Sequence, residues 1–166
     1  ANVIGLGLIG GSVALALRER GWQGSGEDID TATASAALDR GVVDAIGLDD
    51  RAEITFVAVP VLTAADQVKR ALAETSGAVT DVGSVKAAVC AAAADTRFVG
   101  GHPMAGSELD GLDGAQADLF EGAVWVLTPG PDSDDAVFAQ VASVVASFGA
   151  EVVALGLFLI DRTTGG

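Results

Sequence analysis

The chain has 166 residues, 50% of them apolar, and a mean hydropathy of +0.47, enough for one well-buried domain and too little for a large second one. Its 23 Asp and Glu against 9 Lys and Arg give a net charge of −14, which repels phosphate backbones and anionic lipid surfaces. Nucleic acid and membrane are thereby excluded as expected partners.

The elements alternate in type from the start. Asn2 to Gly5 predicts a strand, Gly10 to Arg20 a helix stopped by Gly21, and Ser25 to Asp28 a second strand. Thr31 to Arg40 predicts a helix stopped by Gly41, and Val42 to Ile46 a weak third strand. Ile54 to Val59 is a continuous apolar run ended by Pro60, as in a strand buried on both faces. Helix Thr63 to Thr75, strand Ala78 to Val82 and helix Val85 to Ala94 follow. A short strand, Phe98 to Gly100, then delivers His102 into a glycine-flanked loop. Strand Ala123 to Thr128, helix Asp134 to Phe148 and strand Glu151 to Leu155 close the series. Short β-branched runs alternating with alanine-rich helices predict a doubly wound α/β fold of Rossmann type, its mostly parallel sheet covered by helices on both faces.

Residues 1–155 are expected to form this domain, and residues 156–166 an edge or linker toward something further. The chain begins inside a strand and ends in Thr-Thr-Gly-Gly after the apolar run Leu157 to Ile160, so both ends are expected to be cut edges. That run predicts an uncovered apolar surface. Cys90 is the sole cysteine, which precludes an intrachain disulfide; it reads as a small buried helix residue in a protein of the reducing cytoplasm. The longest apolar stretches fall short of a membrane span.

Gly5-Leu6-Gly7-Leu8-Ile9-Gly10 follows a strand and opens a helix, the context in which GxGxxG has a mechanism. Gly5 permits the tight turn, Gly7 lets a pyrophosphate approach the backbone, Gly10 lets the helix pack closely on the strand, and the first helical amides face the phosphates. Asp28, eighteen residues beyond Gly10, is placed to accept a ribose 2′-hydroxyl. A 2′-phosphate would meet Asp28 as a like charge, with Glu27 and Asp30 adding to it and no arginine nearby, so NAD is expected over NADP. Val59 and Pro60, at the end of the fourth strand, are further cofactor contacts by position.

His102 is the only histidine, and histidine gives or takes a proton near neutral pH. With a dinucleotide site in the same chain it points to proton removal coupled to hydride transfer, the chemistry of an NAD-linked dehydrogenase. Ser84, at the end of a predicted strand, is read equally as a catalytic or cofactor contact and as the cap of the helix from Val85. Glu108 either gates or orients substrate, or is a carboxylate in the first turn of a helix.

Three segments together resemble the prephenate and arogenate dehydrogenases of tyrosine biosynthesis: Val3 to Ser12, Asp81-Val82-Gly83-Ser84-Val85-Lys86, and His102-Pro103-Met104-Ala105-Gly106-Ser107-Glu108. Ala117 to Glu121, leading to Val126 to Pro129, is a fourth similar piece. The resemblance covers about Asn2 to Leu155, the nucleotide-binding half of that family. It implies NAD-dependent oxidative decarboxylation of prephenate to 4-hydroxyphenylpyruvate, or the corresponding reaction of arogenate. Hydride leaves the ring carbon bearing the 4-hydroxyl, His102 takes the hydroxyl proton with Ser84 aligning that hydroxyl, and CO2 leaves to complete the aromatic ring. Ser84, His102, Ser107 and Glu108 are the implied substrate contacts. Leu109 and Asp110 depart from the Lys-Ser pair expected after the glutamate. The resemblance also implies a helical C-terminal domain, not contained here, that completes the pocket with an arginine and forms a homodimer. A β-hydroxyacid dehydrogenase relative and a non-catalytic NAD-binding module are the other readings; the setting of His102 argues against the first of these.

Overall fold

The computed structural model describes residues 1–106 and 108–156. These form β1 (Asn2–Ile4), α1 (Leu8–Glu19), β2 (Ser25–Glu27), α2 (Thr31–Asp39), β3 (Ala45–Ile46), β4 (Ile54–Val57), α3 (Val61–Glu74) and β5 (Ala78–Asp81). After them come α4 (Ala87–Ala92), β6 (Phe98–Met104), β7 (Val124–Pro129), α5 (Asp135–Ser147) and β8 (Glu151–Ala154). The strands make one sheet in the order β3-β2-β1-β4-β5-β6-β7-β8. From β1 to β6 every pairing is parallel; β7 runs antiparallel to β6, and β8 parallel to β7. The mostly parallel, doubly wound architecture is therefore the one expected.

Two cores lie on the two faces, which is why β4 and β5 are buried along their whole length. On one face Val13 and Leu17 of α1 and Val141 and Val145 of α5 pack with Phe56, Phe120, Trp125 and Phe148. These rings meet at 4.9 to 6.2 Å between centroids, a spacing at which edge and tilted contacts add to area burial. On the other face Ala64, Val68 and Ala71 of α3 and Val89 of α4 cover Ile4, Val57, Val79 and Phe98.

Several boundaries differ from those expected, each for a local reason. Helix α1 begins at Leu8, so Gly10 lies inside its first turn. Helix α3 begins directly after Pro60, whose fixed φ of −54° suits a helix start. The largest difference concerns His102, which is in a strand and not a loop. Strand β6 continues to Met104 because β7 pairs with it, Gly101 opposite Leu127, His102 opposite Val126 and Pro103 opposite Trp125. Pro103 is tolerated there because β5 pairs with β6 only through Phe98 and Val99, leaving that side of the strand without a ladder to break.

The long connection from β6 to β7 crosses back over α1 and α2. Ser12 Oγ accepts from the Gln116 amide at 3.0 Å, and Arg40 meets Asp113 at 2.6 Å. Gly11 makes this crossing possible, since a Cβ there would lie 2.9 Å from Ala115 Cβ.

Candidate active site

The turn after β1 is built by glycines that cannot be replaced at no cost. Gly5 has φ +93°, and a Cβ on it would fall 2.3 Å from the Ala58 carbonyl oxygen. A Cβ on Gly10 would fall 1.7 Å from the Gly5 carbonyl oxygen, so only hydrogen lets α1 sit this close to the turn. Gly7 differs: nothing lies within 4 Å of its Cβ position, which opens onto a cleft. That clearance fits a pyrophosphate passing over the backbone, with α1 offering its first amides without a side-chain cap.

The cleft has a volume of 640 Å³, within the range of small-molecule sites. Gly5, Gly7, Asp28, Val59 and Pro60 line it, as the sequence reading placed them; Leu8 and Ile9 follow as the first residues of α1. Asp28 accepts the Leu6 amide at 2.8 Å on Oδ2 and the Asp30 amide at 2.9 Å on Oδ1. It thus braces the glycine turn while retaining lone pairs for another donor, since an ionised carboxylate has about four acceptor sites.

One expectation at this rim needs correction. No arginine is near Asp28 in sequence, yet α3 brings Arg70 into the same cleft, paired with Glu27 of β2 and, at 3.0 Å, with Glu74. Sequence distance conceals this neighbour, which lies 43 positions from its partner Glu27.

His102 lies further along the same edge of the sheet. Strands β1 and β6 are three strand intervals apart, about 14 Å at ordinary spacing. Beneath β6, Asp81 at the end of β5 accepts the Gly101 amide at 3.0 Å and the Gly83 amide at 3.2 Å, and pairs with Lys86. Both charged side chains are fully buried. Burial pushes the Lys86 ammonium below its ordinary range against the pull of Asp81. Burial likewise pushes the half-buried His102 imidazole below the usual histidine value; the Val82 backbone and Asp81 oppose this, and the Lys86 charge adds to it. Its Nδ1 is buried with no hydrogen-bond partner among the described residues.

The sequence motif alone assigns Asp81 and Lys86 no role. The available signal was that Lys86 is one of only two lysines and stands against an alanine-rich helix. Ser84 is exposed between β5 and α4, and the helix-capping alternative fails because α4 starts at Ala87 with Lys86 at its cap position. Glu108 is exposed and belongs to no helix, so its first-turn reading also fails; the next helical turn is a 3-10 turn at Leu112–Gly114. Ser107 and the apolar run Leu157 to Ile160 lie outside the described residues. Cys90 is only partly buried, on α4.

The family model described as the nucleotide-binding domain of prephenate dehydrogenase matches residues 13–154. The chain belongs to the prephenate dehydrogenase family. Prephenate dehydrogenase of Bacillus subtilis (strain 168) is 37% identical over 165 residues, which cover 90% of this chain and 44% of that protein. Synechocystis arogenate dehydrogenase superposes with a TM-score of 0.88 at 33% identity, covering 97% of this chain and 61% of that one. Aquifex aeolicus prephenate dehydrogenase, in complex with hydroxyphenyl propionate and NAD+, gives 0.86 at 30% identity over 96% of this chain and 60% of that one. The chain thus spans less than half of the Bacillus relative. Among the described residues no helix is long and apolar enough to cross a membrane.

Proposed function

We propose that this chain is the NAD-binding half of a dehydrogenase that converts prephenate to 4-hydroxyphenylpyruvate by oxidative decarboxylation. The observation that carries the reading is the position of His102 on β6, its Nδ1 buried without a partner among the described residues, at the sheet edge that also forms the dinucleotide cleft. The Aquifex complex with NAD+ and a hydroxyphenyl acid supports the choice of cofactor and of substrate class. When bound, NAD+ accepts the hydride from the ring carbon that carries the 4-hydroxyl. His102 takes the hydroxyl proton and returns it to the phenolate oxygen after CO2 has left. Ser84, exposed beside the buried Asp81–Lys86 pair, aligns the hydroxyl, and Ser107 and Glu108 contact the substrate.

Residues 1–155 form the cofactor domain in this reading, and residues 156–166 lead to a helical domain that closes the pocket and forms the dimer. Val85, Met104 and Leu109 are exposed apolar side chains in the segments that carry the site, as expected of a surface covered by further polypeptide. The 166-residue chain should bind NADH but produce none from prephenate, and adding the helical domain should restore turnover and a dimeric mass. Comparable turnover from the chain alone would overturn the need for that domain. Absence of turnover with both prephenate and arogenate in the extended protein would overturn the reaction. The likeness to the Synechocystis enzyme makes arogenate the second reading, and rates with each substrate and each cofactor decide between them.

Asp28→Ala should weaken NADH binding by roughly tenfold to a hundredfold, because a hydrogen bond to a charged acceptor contributes about 1.5 to 3 kcal/mol. Part of that loss comes from slackening the Leu6 amide. Fluorescence titration measures it, and wild-type affinity in the variant would remove Asp28 from the site.

A further inference from the structure

Arg70 projects from α3 into the cleft between Gln67 and Glu74. Its Nη1 is shared by Glu27 and, at 3.1 Å, by Gln67 Oε1, and its Nε meets Glu74 Oε2 at 3.0 Å. The side chain is 37% exposed, so it is neither core nor free surface. The Glu27 hydrogen bond is the largest influence holding its pKa above the ordinary arginine value. Glu27 directly precedes Asp28, and Glu27, Asp28, Gln67 and Arg70 all line the one cleft with Gly5 and Gly7. A guanidinium is the side chain best shaped to fork a phosphate, and here it lines the same cleft as Asp28, the carboxylate read as the acceptor for the adenosine ribose. It is already occupied by two carboxylates.

We propose that Glu27 is a specificity-determining residue of the cofactor site: by engaging Arg70 it withholds a ready-made 2′-phosphate ligand, so that the cleft accepts a 2′-hydroxyl dinucleotide and rejects its 2′-phosphorylated counterpart. This rests on the reading of the cleft as the dinucleotide site. Two carboxylates, Glu27 and Glu74, hold the guanidinium, and Asp28 lines the same cleft, so the rim repels an added dianion. Removing the Glu27 charge removes one repulsive group and frees one attractive group together. Asp28 stays, so discrimination weakens without fully reversing.

NADH and NADPH titrations of the 166-residue chain, followed by nicotinamide fluorescence, test the proposal. Wild type should favour NADH. Both Glu27→Gln and Glu27→Ala, which remove the charge with different side-chain volumes, should raise NADPH affinity relative to NADH by about tenfold or more, the scale of one new charge-assisted phosphate contact. Adding Arg70→Ala to either should abolish that gain. Arg70→Ala alone should leave the NADPH-to-NADH affinity ratio no higher than in wild type, and a raised ratio in that variant would overturn the proposal whether or not the Glu27 variants fold. An unchanged NADPH-to-NADH ratio in the folded Glu27 variants would overturn the proposal. So would an equal loss of both cofactors in Arg70→Ala, because Arg70 would then serve the adenine and not the phosphate. If wild type binds neither cofactor, the cleft reading falls and the proposal falls with it; NADH binding with an unaltered ratio defeats the proposal alone.

Discussion

Replacing His102 by asparagine in the protein extended by the proposed helical domain is expected to lower kcat by about a hundredfold to ten-thousandfold, the usual cost of losing a general base. NADH affinity should be little changed, because His102 does not line the cofactor cleft. Asparagine can still hydrogen-bond a hydroxyl but cannot carry its proton. The pH dependence has a definite sign. The base works only when neutral, so kcat/KM should rise with pH as His102 loses its proton. Burial lowers that pKa, which places the midpoint of the rise below the ordinary 6.5. A variant with near wild-type turnover, or activity that falls as pH rises through this window, would remove His102 from the proton transfer.

What could be read in advance was whatever the chain encodes over short distances. Gly5, Gly7 and Gly10 sit within six residues, and their demands are steric. The packing demands on Gly5 and Gly10 follow from spacing and reappear as carbonyl oxygens 2.3 and 1.7 Å from their Cβ positions. Asp28 is set by the length of one strand-helix-strand unit. The alternation of apolar runs with alanine-rich helices was similarly local, and it foretold a mostly parallel sheet. Helix and strand ends were less legible, because hydrogen bonding and packing, not composition, decide where α1 or α3 begins.

The misread features depend on partners far along the chain. His102 was placed in a loop because glycine and proline surround it. Its strand exists through pairing with β7, whose Val126 lies 24 positions later. Arg70 is not legible in the sequence as a neighbour of this rim, because it returns to the cleft of Asp28 only through α3, which follows β4 beside β1. Lys86 was legible as a residue but not as a buried charge. Five positions separate it from Asp81, and only the packing of α4 over β5 and β6 removes both from water.

That burial leads to the second large effect. Lys86→Met should destabilise the domain by about 3 to 5 kcal/mol, the cost of leaving one member of a buried ion pair without its partner. Against a typical domain stability of about 5 to 15 kcal/mol this is a large fraction, and it should lower the urea midpoint by roughly 2 M. Asp81→Asn combined with Lys86→Met should recover part of the loss, since no buried charge then remains. Recovery stays incomplete because an asparagine has one acceptor oxygen, whereas Asp81 serves the amides of both Gly83 and Gly101. The Gly101 bond joins the pair to the site by fixing β6 one residue before His102. Removing the Lys86 charge also removes one influence that lowers the His102 pKa, so in folded Lys86→Met protein the rising limb of kcat/KM should move to higher pH. A Lys86→Met variant with the wild-type urea midpoint and an unshifted limb would mean that the Asp81–Lys86 pair neither holds the strand nor acts on the base.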